Sequence, residues 1–170
     1  MIRRMPLIRP AELTDAQAVE RVEIAADALL VALLEPQEWP PAEPAEERFA
    51  APGFLLVAEA DDAELAGFVH VTETEGICHL EQLSVAPTHA RQGWGRALLE
   101  AAKREASTRG HRRMTLRTYA DVPWNAPFYA TAGFREEQPS TAFHRSLIDA
   151  EERLGLNAYG RRVQMVAVLG

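Results

Sequence analysis

Leu83-Ser-Val-Ala-Pro-Thr-His-Ala-Arg-Gln-Gly-Trp-Gly-Arg-Ala-Leu-Leu99 decides the reading of this chain. A β-rich run ends in a loop with two glycines, and the loop opens at once into an amphipathic helix. The first amides of a helix are free donors, and the helix dipole adds partial positive charge beside them. Gly93 and Gly95 remove side chains that would keep a bulky anion from those amides. Arg91 and Arg96 flank the turn and add charge. The segment reads as a pyrophosphate cradle. Two other phosphate loops are excluded by spacing: a dinucleotide turn requires glycine where Leu98 stands, and a triphosphate loop requires Gly-Lys-Ser/Thr.

Upstream of the cradle the chain reads as a three-strand meander. Residues 54–60 form a buried strand, Asp61-Asp62 a turn and residues 65–72 its hairpin partner. Glu75-Gly76 turns the chain into a third strand over 77–85. Further back, residues 7–9 make a short edge strand. Thr14 and Gln17 are spaced as a capping box ahead of Val22, Ala25, Ala26, Leu29, Leu30 and Leu33, whose helical period carries a first helix to about Leu34. Pro36 stops it. A Pro-rich stretch around Trp39 follows, with a short second helix over 45–49.

Downstream, the cradle helix runs over 95–109 and buries Leu98, Ala101 and Ala102, with Gly110 as its cap. A strand over 113–118, a short helix over 125–132 and a strand from Phe134 come next. Ser140 caps a helix to Leu154, and a strand over 162–169 closes the chain. Repeats and low-complexity tracts are lacking.

The cradle resembles the acetyl-CoA-binding motif of the GCN5-related N-acetyltransferase (GNAT) superfamily: strand, Val-x-Pro, loop, then Arg/Gln-x-x-Gly-x-Gly/Ala into a helix. Val85, Pro87, Gly93 and Gly95 match in place, and Ala90 stands where the family has Arg or Gln. Asn125 through Tyr129 to Gly133-Phe134 resembles that family's second signature, with Asn125 four residues before Tyr129 instead of seven. The element order β-α-(α)-β-β-β-α-β-α-β-α-β is also similar. The resemblance implies an α/β (α+β) fold over residues 1–170 as one domain. Its centre is a mixed, mostly antiparallel twisted sheet of about six to seven strands, flanked by helices.

The resemblance further implies a role for each matched residue. Arg91, Gln92, Gly93, Trp94, Gly95, Arg96 and Ala97 would hold the pyrophosphate of acetyl-CoA. The exposed backbone of Leu83, Ser84 and Val85 would pair with the pantetheine arm like a missing strand, and the Val85 amide would meet the oxyanion. Asn125 is either a ligand of that arm or a helix cap. Tyr129 stands where the family has the tyrosine that protonates the departing thiolate, and a phenol is protonated at neutral pH; otherwise it is a core tyrosine. His79 and Glu81 share a strand face by the two-residue period. The resemblance puts the general base here, Glu81 first with His79 as its rival; otherwise the two are a surface pair on a half-exposed strand. A carboxylate also attracts the ammonium it deprotonates, whereas an imidazole titrates near working pH.

Composition narrows the rest. The chain has 170 residues, 47% of them hydrophobic, enough for one sizeable core. A net charge of −7 argues against a nucleic-acid surface and favours cationic partners. No apolar run suits a membrane span, and Met1-Ile-Arg-Arg-Met-Pro6 lacks the core of an export signal. One cysteine, Cys78, fits a reducing cytoplasm, and by strand parity it belongs to the core. The remaining histidines show no metal spacing. Trp39, Trp124 and Tyr119 line the acceptor pocket or belong to the core. The expectation is an N-acetyltransferase that uses acetyl-CoA and no metal to acetylate a primary amine of a small molecule or peptide. The rival readings are a non-catalytic acyl-CoA sensor or structural module and a nucleotide-binding domain. The apolar closing strand leaves open a homodimer.

Overall fold

In the computed structural model, residues 7–60 and 63–170 are described; the turn expected at Asp61-Asp62 lies outside them. The strands are β1 (Leu7–Pro10), β2 (Gly53–Glu59), β3 (Leu65–Thr74), β4 (Ile77–Val85), β5 (Arg113–Tyr119), β6 (Arg135–Glu137) and β7 (Arg162–Val168). The helices are α1 (Ala16–Leu34), α2 (Ala45–Ala50), α3 (Trp94–Thr108), α4 (Ala126–Ala130) and α5 (Ala142–Arg153). All seven strands join one sheet in the order β1-β2-β3-β4-β5-β7-β6. Every pairing is antiparallel except β4 with β5. The result is a mixed α/β fold with an open sheet flanked by helices.

The strand alternation sorts the core into two sides. Leu56 and Ala58 of β2 pack with Val69, Val71, Leu80, Met114 and the α3 residues Leu98, Leu99, Ala102 and Ala106. Leu55 and Val57 of the same strand pack instead with Phe68 and with Val19 and Val22 of α1. Gly67 lets α3 and β4 close on the sheet: a Cβ there would stand 2.5 Å from the Ser84 carbonyl oxygen.

Two local expectations are corrected. The helix start expected at Thr14 and Gln17 is held by Asp15, whose carboxylate accepts the Glu12 amide at 2.8 Å and pairs with Arg9. A 3₁₀ turn over Leu13–Asp15 therefore precedes α1. The cap of α5 is Thr141, one residue after the expected Ser140; its hydroxyl accepts the His144 amide at 3.0 Å. The closing strand β7 lies inside the sheet, with β5 on one side and β6 on the other.

Candidate active site

The sheet opens where the cradle begins. β4 and β5 run parallel but share one ladder pair, His79 with Thr115, and then part. The Ala86 amide donates to the Ala66 carbonyl at 2.7 Å, on the β3 side. By strand alternation the backbone groups of Val85 and Leu83 therefore point the other way, into the gap. Ser84 is buried on the α1 side and its hydroxyl accepts from the Gln82 amide group at 3.0 Å.

The gap ends at the start of α3. Gly93 is the helix cap, at φ +87°, and no side chain caps the helix. The Ala97 amide bonds the Gly93 carbonyl at 3.0 Å. The amides of Gly93, Trp94, Gly95 and Arg96 precede the first helical hydrogen bond and remain for an anion. A Cβ on Gly95 would meet Val85 Cγ2 at 3.6 Å and Phe128 Cζ at 3.9 Å, so β4, α3 and α4 converge there. Arg91 sits at φ +61° and is exposed. The other flanking groups are engaged. Arg96 donates to the Thr131 carbonyl at 3.1 Å and lies 5.5 Å from the Phe128 ring, and the Gln92 side chain accepts from the Trp94 indole at 3.1 Å.

His79 and Glu81 come apart in three dimensions. The β3–β4 register runs His70 with Gln82 and then Val71 with Leu80, so Glu81 is the extra residue of a β-bulge. Glu81 is exposed, yet desolvation by the surrounding protein raises its carboxyl above the ordinary range. His79 is 3% exposed, and its Nδ1 lies 2.8 Å from the Thr115 hydroxyl. The same hydroxyl lies 3.0 Å from His144 Nε2, and Phe143 packs edge-on at 5.5 Å. Burial, with His144 and Arg117 nearby, pushes the His79 imidazole down to about 3. It is a neutral ring inside a network.

Tyr129 packs between Phe128 and Phe134, at 5.3 and 5.6 Å between ring centroids. Burial raises its phenol, which keeps the proton on. Asn125 precedes α4 without capping it. Its Oδ1 accepts from the Thr118 hydroxyl at 2.7 Å, tying α4 to β5. Cys78 lies in the core on the α3 side, its thiol raised to about 12 by burial. Tyr119 is structural, donating its hydroxyl to the Leu156 carbonyl at 2.9 Å. Trp124 is 46% exposed.

A group on the α1 side was missed in the sequence. Arg48 of α2 pairs with Glu23 of α1, with Glu43 at 3.3 Å and with His70 Nδ1 at 2.9 Å. Glu23, Asp27 and Glu81 are all raised, chiefly by desolvation, and all feel Arg48. Trp39 tilts against Tyr159 at 6.5 Å between ring centroids and lies close enough to Asp27 to lower its carboxyl. The available signal was Glu23 and Asp27, four apart within the apolar half of a helix. Among the described residues, neither this group nor any other is arranged to hold a metal, and no helix is long and apolar enough to cross a membrane.

The profile of the Acetyltransferase (GNAT) family matches residues 23–134. A mycothiol acetyltransferase from Clavibacter sepedonicus is 32% identical over 100 residues, 59% of this chain and only 33% of that protein. The match to an aminoglycoside N(6')-acetyltransferase type 1 from Klebsiella aerogenes is 28% identical over 152 residues, 84% of this chain and 97% of the relative. Among solved structures, PaiA N-acetyltransferase from Thermoplasma acidophilum, in complex with coenzyme A, superposes with a TM-score of 0.72 at 16% identity, covering 97% of this chain and 99% of its own.

Proposed function

The chain belongs to the GNAT acetyltransferase family, and from that premise we propose that it acetylates a primary amine of a small molecule or peptide from acetyl-CoA. One observation carries this reading: the parted β4 and β5 expose the backbone of Leu83 and Val85 on a line that ends at the uncapped amides of α3. Those residues fit a pantetheine diphosphate, since an extended arm needs strand-like donors and acceptors and a diphosphate needs unblocked amides. Acetyl-CoA supplies the activated acyl group as a thioester. The acetyltransferase names of the curated relatives and the coenzyme A in the Thermoplasma structure support the same assignment.

The residues divide the work. Glu81, open at the bulge, accepts the proton of the incoming ammonium, directly or through water, so that the amine can attack in a ternary complex. The Val85 amide donates to the oxygen that gains charge. Tyr129 gives a proton to the departing sulfur. His79 is set aside as base because its ring is shut from solvent and hard to protonate.

The test is a panel of amines assayed by thiol release, with mass spectrometry of the product. A new amide supports the reading. Coenzyme A binding without amide product from any amine would instead leave the acyl-CoA sensor.

A further inference from the structure

The carboxylates near Glu81 carry more negative charge than deprotonating one amine requires. Glu23 and Asp27 are four apart on α1 and so share a face. Glu43 comes from the segment before α2, Glu81 from the β4 bulge, and Arg48 stands among them. Two of these carboxylates, Glu23 and Glu43, contact the guanidinium, and Asp27 and Glu81 lie within its electrostatic reach. His70 adds no charge, because burial and Arg48 hold its imidazole at about 4. Buried charge without a partner is costly. Glu23 nevertheless keeps one oxygen, Oε2, without a hydrogen-bond donor, in a side chain that is 4% exposed. Glu23 is closed, Asp27 and Glu43 are half-buried and Glu81 is open, so the negative field runs from the interior out into the cleft.

We propose that the acceptor carries at least two cationic nitrogens: one is delivered to Glu81 for acetylation, and a second is held by Asp27 and Glu43 in the field of the free Oε2 of Glu23. This rests on the acetyltransferase reading above. The Trp39 ring, tilted against Tyr159 and close enough to lower the Asp27 carboxyl, adds an aromatic wall suited to a cation. Desolvation by the surrounding protein, deepest at Glu23 and Asp27, holds these carboxyls and that of the exposed Glu81 above their ordinary range, and a bound cation relieves that cost.

The experiment compares n-butylamine and n-hexylamine with 1,4-diaminobutane and 1,6-diaminohexane at saturating acetyl-CoA. At least one diamine should exceed its monoamine in kcat/KM by about tenfold or more, mainly through KM, as one charge-assisted contact allows. That ratio should shrink with added salt and fall toward one in the D27N/E43Q double variant. These two side chains are less enclosed than Glu23, whose loss would strand Arg48; an unchanged melting temperature of the variant separates recognition from folding. Equal kcat/KM for both series, or a ratio that survives in the variant, overturns the inference while leaving the acetyltransferase reading intact. Coenzyme A binding with no amide from any amine overturns both.

Discussion

Glu81 and His79 lie two residues apart on β4, yet one meets the cleft and the other a closed network. The difference is solvent, not chemistry type. The Glu81 carboxyl is raised, so it loses activity as a base when pH falls through that raised value. The acid limb of kcat/KM should therefore lie above the ordinary carboxylate range, and E81Q should lower kcat/KM and erase that limb. An unchanged profile would remove Glu81 from the proton transfer. Tyr129 makes the complementary prediction. Its phenol is buried and protonated, so Tyr129→Phe should lower kcat on the order of a hundredfold, with acetyl-CoA affinity nearly intact. Equal turnover in a single-turnover assay would leave it a packing residue. The residue types were legible in the sequence, and the choice between the two bases was not. It depends on a bulge and on Thr115, which is 36 residues away from His79 in the chain.

At the scale of elements, the join of β4 to α3 governs binding. Gly93 is left-handed at φ +87°, and Gly95 faces Val85 and Phe128 in ordinary contact. G95E would drive a longer, negatively charged chain into that junction, and G93E would add strain and like charge beside the amides. Either variant should abolish coenzyme A binding by calorimetry, and retained affinity would refute the cradle. A second test concerns α5, whose packing holds His144 against Thr115. Thr141→Ala removes the cap and should cost about 1 kcal/mol in denaturant unfolding. The existence of each helix and strand followed from periodicity and turn residues. The caps did not, because Thr14, Asp15, Ser140 and Thr141 are equally good cap types, and only the backbone path selects among neighbours.

Across the molecule, Glu151 of α5 joins Arg117 of β5 at 2.6 Å and Arg162 of β7 at 3.1 Å. Burial opposes its charge, but the hydrogen bonds from Arg117 and Arg162 prevail and hold the carboxyl below its ordinary range. Its contribution to stability is thus present above the unfolded-state value and lost as pH falls through the folded one. Glu151→Gln would leave Arg117 buried without a partner and should cost about 3 kcal/mol near neutral pH, with the gap to wild type closing in acid. Thermal melts across pH check this. Sequence by itself determined the order of elements, the glycine cradle and the tyrosine of α4, because turn chemistry and side-chain period act over a few neighbouring residues. The tertiary structure alone decided that β4 and β5 part, that His79 is shut in, and that Glu23, Asp27, Glu43 and Arg48 gather beside Glu81. Burial and the electric field at a site are summed over segments distant in the chain, and no local pattern carries that sum.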